Sequence, residues 1–294
     1  MLGQVSEIWR YPVKSMQGEP LGEAAVLDTG VIGDRALALR DVETGQIASA
    51  KSPRLWPDLL DFQAAFVDDP QPGSSLPAVR ITLPDGDTVR SDDADVELAL
   101  SQATGRTVTL VSSNPAGETY EQYLPDIDGA DPRGADVYTR SPNDVFGTGS
   151  LHDAAPLHLI TTASLDQLGA LHPEGRPPVR RFRPNVVVAT EDGLTGFAED
   201  GWLKEEVALG DVSMRVTLPM GRCVMITRPQ PGLAKDAELL RTVTRHNRQQ
   251  VLDIGRLPCV GVAGLVEQAG VVRCGDQVVL HDRRGPRDTS HGVT

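Results

Sequence analysis

At 294 residues, with 39% apolar and only 4% aromatic side chains and 22 prolines, the chain is long enough for one or two domains and is poorly suited to a helical bundle. Its 41 acidic against 28 basic residues give a formal charge of -13, which excludes a general phosphate-facing surface for nucleic acid or an anionic membrane; any anion site must be local. No segment approaches the roughly 18 uninterrupted apolar residues of a membrane span. The start "MLGQVSEIWRYPVKS" lacks the basic head and apolar middle of a signal peptide, so a cytoplasmic protein is expected. Three cysteines, Cys223, Cys259 and Cys274, without CxxC spacing, fit neither a disulfide framework, nor a zinc ribbon, nor a four-cysteine cluster.

Taken in chain order, the first third reads as short strands and tight turns: "VSEIWRYPV", "EAAVLDTG", "ALALRDVETG", "DFQAAFV" and "AVRITLPDGDTVRS" alternate apolar and polar positions between turn residues. The pattern predicts a small β-barrel or curled sheet over residues 1–112. It closes with a helix in "DDADVELALSQATG", acidic at its start and ended by Gly105. Residues 113–150, rich in Gly, Pro and Asp, read as a linker or functional loop. A second domain is expected over 151–282: "LHLI" as a strand, a helix capped by Thr162 or Ser164, then strands in "RPNVVVAT", "EVALGDVSMRVTLP" and "VGVAGLVEQAGVVRCGDQVVL", with a helix in "KDAELLRTVTRHNRQQ". Residues 283–294 read as a flexible tail. The fold class is mixed and mainly β: an N-terminal β-barrel-like domain, then a β-barrel domain with a few helices.

The chain has no GxxxxGK[ST], HExxH or GxSxG motif. Specialised polar residues gather elsewhere. "YPVKSM" sets Lys14 and Ser15 after a proline-broken strand, where ammonium, hydroxyl and backbone N–H groups can meet an anion, although taken alone a solvated turn lysine is the plainer reading. Arg35 follows Asp34, which suits either a local ion pair or an anion contact. In "RRFRPNVVVAT", Arg180, Arg181 and Arg183 cluster before Asn185: guanidinium forks suit phosphate or carboxylate and an amide suits a heterocycle edge, whereas a basic surface with a turn asparagine is the plainer reading. Cys223 is either a small core residue or a thiolate, favoured by neighbouring Arg222, for a soft metal or a persulfide. Cys259 and Cys274 read as structural.

The succession "YPVKS", "GDR", "LITTASL", "FRPNVVV", "GRC" and "GVVRCGDQVVL" resembles the MOSC superfamily, the molybdenum-cofactor sulfurase C-terminal domain with its N-terminal β-barrel partner, over about residues 3 to 282. The resemblance implies a molybdenum cofactor, with Cys223 as metal ligand and catalytic residue. It also implies Lys14, Ser15 and Arg35 on the pterin or its phosphate, Thr162, Ala163 and Ser164 lining that site, and Arg183 with Asn185 as a contact pair. Arg222 joins the set as the neighbour of the thiol. The pyridoxal-phosphate-dependent desulfurase domain of the sulfurase enzymes has no counterpart in these 294 residues. The implied activity is that of the amidoxime-reducing branch: reduction of small N-hydroxylated substrates with electrons from a separate ferredoxin-, flavin- or cytochrome-type protein, since no flavin, haem or iron–sulfur motif is present. A sulfur carrier with a persulfide on Cys223 is the alternative, and the scaffold also admits another chemistry.

Overall fold

A computed structural model of the protein describes residues 1–112, 120–123, 137–140 and 151–281. The tail reading for 283–294 lies outside the described residues. So does the linker reading for 113–150, apart from an antiparallel strand pair, Tyr120–Tyr123 with Val137–Arg140.

Seven strands close into a barrel: β1 (Gly3–Arg10), β2 (Leu157–Thr161), β3 (Val186–Thr190), β4 (Glu206–Leu209), β5 (Val212–Gly221), β6 (Gly255–Gln268) and β7 (Gln277–Leu280). Their order is β2-β3-β1-β7-β4-β5-β6, and β6 pairs back onto β2, Leu157 opposite Gly264. Closure leaves the ring without an unpaired edge. Only β2 and β3 run parallel, so a crossover must join them, and α2 (Thr162–Leu171) supplies it.

Alternation explains both faces. Val5, Ile8, Leu157, Leu159, Val186, Val188 and Val262 point into the barrel core. The intervening Ile160 and Val187 pack outward under α2 and α3 (Ala237–His246), against Leu165, Leu168, Leu239 and Val243; Val260 joins them because the β5–β6 register shifts between Val262 and Cys259, which breaks the alternation there. Strands buried on both sides read as continuous apolar runs, as in "NVVVA".

Leu2, Val5, Ile8, Ala24, Val26 and Val31 share the barrel core, so the first thirty or so residues complete the barrel that the C-terminal strands begin. A second core holds Val13, Met16, Leu39, Phe62, Ile81 and Leu100. It lies between the strand pair Ala38–Asp41/Val108–Val111, the three-stranded sheet Gln63–Phe66/Val79–Thr82/Thr88–Arg90, and α1 (Val96–Thr104). Gly105 ends α1 in the left-handed conformation. The segment after β1 leads from the first core into the second, and the cleft described next opens along it.

Candidate functional site

Pro12 follows β1, and the chain then turns at Ser15, whose backbone is left-handed (φ 66°). Arg35 (φ 50°) and Arg183 (φ 54°) share that conformation. Non-glycine residues rarely adopt it, and it concentrates where function fixes the backbone. All three line one cleft, with Lys14, Lys51, Asn185, Arg222 and Cys223.

The cationic wall is built around Tyr11. The guanidinium carbons of Arg35 and Arg183 lie over its ring, 4.9 and 4.2 Å from the centroid. Arg183 also donates to the Met16 carbonyl (2.6 Å), and Arg35 to the Arg183 carbonyl (3.4 Å). Asp34 accepts from the Tyr11 amide (2.7 Å), lies 3.1 Å from His152 Nε2, and pairs with Arg35. Burial alone would push the Asp34 carboxyl up, but Arg35 and His152 hold it well below the usual carboxylate range.

Lys14 is not a solvated turn lysine: it is buried, donates to the Leu151 carbonyl (2.9 Å) and pairs with Asp153, which Lys51 also meets at 3.0 Å. Burial lowers the Lys14 ammonium to about 8 against the opposing pull of Asp153. Burial and the adjacent Arg35 lower Arg183 to about 10. Four cations thus face two carboxylates, Asp34 and Asp153, in a chain of net charge -13. An entering anion would relieve that excess.

Across the cleft, β5 ends at Gly221 and Cys223 takes the N-cap position of a single helical turn, Val224–Thr227. Its thiol is half-buried. Arg222 pins this loop: its amide donates to the Pro258 carbonyl (2.7 Å), Nε to Val260 (2.9 Å) and Nη1 to Phe182 (2.9 Å). Its guanidinium lines the cleft with these donors already committed, so its main effect is to fix the backbone that carries the thiol.

The remaining residues singled out in the sequence divide. Asn185 lies on the cleft, but its amide oxygen accepts from the His158 N–H (3.1 Å) and its Nδ2 donates to the Trp9 carbonyl (3.3 Å), tying β1 to β2. Thr162, Ala163 and Ser164 are not among the cleft-lining residues. The helix cap is Thr161, whose hydroxyl accepts from the Ser164 amide; Thr162 bonds Thr190, and the Ser164 hydroxyl donates to the buried Glu199 carboxylate (2.6 Å). Arg181 spends its guanidinium on the carbonyls of Ile226, Arg228 and Ala234, and Arg180 on Pro231. Cys259 is buried, its thiol pushed up to about 12 by burial, whereas Cys274 is exposed. Sequence reasoning missed Lys51, His152, Asp153 and His158, which carry no motif and join the site only through long-range placement.

The closed barrel, its N-terminal β partner and a cation-and-thiol cleft between chain segments far apart in sequence agree with one protein class: the chain belongs to the MOSC family. The MOSC domain matches residues 147–279 and the MOSC N-terminal beta barrel domain residues 2–121. Among curated relatives, the chain is 26% identical to mitochondrial amidoxime-reducing component 1 of Homo sapiens, over 95% of this chain and 83% of that protein. It is 29% identical to mitochondrial amidoxime reducing component 2 of Macaca fascicularis, over 94% and 83%. Among solved structures, the YUAD protein from Bacillus subtilis aligns over 95% of this chain and 94% of that one, with a TM-score of 0.43 and 10% identity. Among the described residues, no helix is long and apolar enough to cross a membrane.

Proposed function

We propose that the protein is a molybdenum-cofactor-binding oxidoreductase that reduces N-hydroxylated compounds with electrons from a separate donor protein. The observation that carries this reading is the meeting, in one cleft of an acidic chain, of buried cations in excess of carboxylates with a half-buried thiol on a pinned loop. The donor set fits the group: Lys14, Arg35 and Arg183, with the Ser15 hydroxyl, would hold its anionic part, and Cys223 would ligate a soft metal. A bound molybdenum–pterin group supplies the two-electron redox centre. The net conversion takes an N–OH group, two electrons and two protons to N–H and water, the electrons coming from the donor protein. The chain's own residues bind and orient: the cations fix the anion, Arg222 sets the thiol's position, and His158 couples the two walls.

Metal and pterin analysis of protein purified from a molybdenum-replete host tests the reading. About one molybdenum and one pterin per chain are expected for a single-thiolate site. Metal-free protein bearing a cyanide-labile sulfur on Cys223 would overturn it in favour of a sulfur carrier.

A further inference from the structure

The cleft has two chemically different walls. Besides the cations, the cleft is lined by Leu218 and Met220 from the end of β5 and by Val251 and Leu257 from the hairpin Arg248–Val251/Gly255–Gln268, which pack together as an apolar strip. The strip is rooted in a buried cluster with Ala155 and Cys259, and it continues to the hairpin tip, where Leu252 and Ile254 also line the cleft.

The tip inverts the usual chemistry of a hairpin turn. Such positions favour Gly, Asn or Asp, because the backbone goes left-handed and the side chains face water. Here Leu252 takes φ 46° while 50% exposed, and Ile254 is 42% exposed. A bulky apolar residue held in a strained conformation and left partly in water is unfavourable on both counts for the free protein, which points to a function at that position.

We infer that Leu252 and Ile254 form a specificity-determining wall that receives the apolar, uncharged part of the substrate, so that the substrate class is lipophilic aryl- or alkyl-bearing N-hydroxy compounds. The inference rests on the proposed reading of the cleft as an N-hydroxy reductase. An apolar group laid on this strip loses water while covering side chains that are otherwise exposed, and the gain grows with each methylene. The tip's continuity with the cleft lining favours substrate over a docked electron-donor protein.

The test uses the loaded protein, a reduced viologen as electron source, and a series of 4-alkylbenzamidoximes from unsubstituted to butyl. Binding of the same series to resting protein is measured by calorimetry. In the wild type, both affinity and kcat/KM should rise about twofold per added methylene, below the fourfold expected of full burial. In the double variant Leu252→Asn/Ile254→Ser the rise should vanish from both readouts, and Ile254→Ser alone should give an intermediate slope. Asn tolerates the left-handed backbone, so melting of the double variant is expected to be unchanged. A flat wild-type series, or a slope that survives the double variant, overturns the inference. So does an unchanged slope accompanied by a raised KM for a protein electron donor, which would make the tip a docking surface. A wild type that binds the series with the expected slope yet reduces none of it would refute the proposed reductase and leave the apolar wall standing.

Discussion

Arg222 Nη2 lies 2.7 Å from His158 Nε2. A guanidinium only donates, so the contact fixes Nε2 as an acceptor and leaves Nδ1–H to donate to the Arg183 carbonyl, 3.1 Å away. One neutral imidazole thereby joins the loop that carries Cys223 to the left-handed residue that anchors the cationic wall. Burial, reinforced by the Arg222 charge, pushes His158 well below its ordinary value.

The first prediction follows from the sign of that shift. Below about pH 6.5 the unfolded chain takes up a proton that folded His158 refuses, so stability falls on acidification. Imidazole nitrogen NMR should show the neutral Nδ1–H tautomer unchanged from about pH 8 to 5. His158→Gln, which keeps a donor and an acceptor, should remove this part of the acid sensitivity. A His158 resonance that titrates near its ordinary value would disprove the assignment.

Lys14 gives a prediction at alkaline pH. Its ammonium, lowered by burial to about 8, loses charge within the working range, and an anion in the cleft favours the protonated form. Sulfate keeps a constant charge here, so its affinity should fall as pH rises through about 8, with proton uptake on binding near the midpoint. Lys14→Met should bind sulfate about tenfold more weakly, the loss of one charge-assisted contact, and without that pH dependence. Because the folded value lies below the unfolded one, the wild type should gain stability between about pH 8 and 10.5, and the variant should not. Titration calorimetry in buffers of different ionisation enthalpy reads affinity and proton uptake, and denaturant unfolding across the same pH range reads stability; affinity that is flat across this range in the wild type counts against the role of Lys14.

The three thiols differ in exposure and therefore in reactivity. Native alkylation should label exposed Cys274 first and half-buried Cys223 second, and should reach buried Cys259 only on unfolding. Cys223→Ser should abolish molybdenum retention and N-hydroxy reduction. Cys274→Ser should leave both intact, and Cys259→Ala should cost about 1 kcal/mol of stability with the retained metal unchanged. Equal loss of metal in all three would remove Cys223 from its special position.

Local pattern carried much of the architecture. The α1 stop at Gly105, the doubly buried run Val186–Val188 and the strands of the first third follow from periodicity and turn chemistry that neighbouring residues decide. Pairing is another matter: nothing in "GQVSEIWR" announces that β1 lies between β3 and β7, whose partners stand far along the chain, as in Ile8 with Val186 and Gly3 with Val278. The site divides in the same way. Lys14, Arg35, Arg183 and Cys223 stand in short motifs beside Pro, Gly or Asp, whereas His158 sits in an ordinary strand and Lys51 in an ordinary turn, and only the fold brings them to the cleft. Asn185 shows the converse, since an amide that looks suited to a ligand is engaged by backbone on both its oxygen and its nitrogen.

The segment Thr162–Ser164 provides the sharpest contrast between motif and structure. The hydroxyls of Thr161 and Ser164 converge on the fully buried Glu199, whose second carboxylate oxygen has no hydrogen-bond partner among the described residues. Burial raises the Glu199 carboxyl above its ordinary 4.5, against the opposing effect of the two hydroxyls. A folded-state value above the unfolded one means that the folded chain holds its proton longer, so this contribution to stability is complete below about pH 4.5 and is lost as pH rises through the folded value. Glu199→Gln, an analogue of the protonated form, should therefore melt higher than the wild type at neutral pH, and the difference should shrink towards about pH 4.5. Ser164→Ala should cost about 1–3 kcal/mol, as the loss of a buried hydrogen bond to a carboxylate predicts, while metal and pterin content stay unchanged. Loss of pterin without loss of stability in Ser164→Ala would instead return this segment to the binding site.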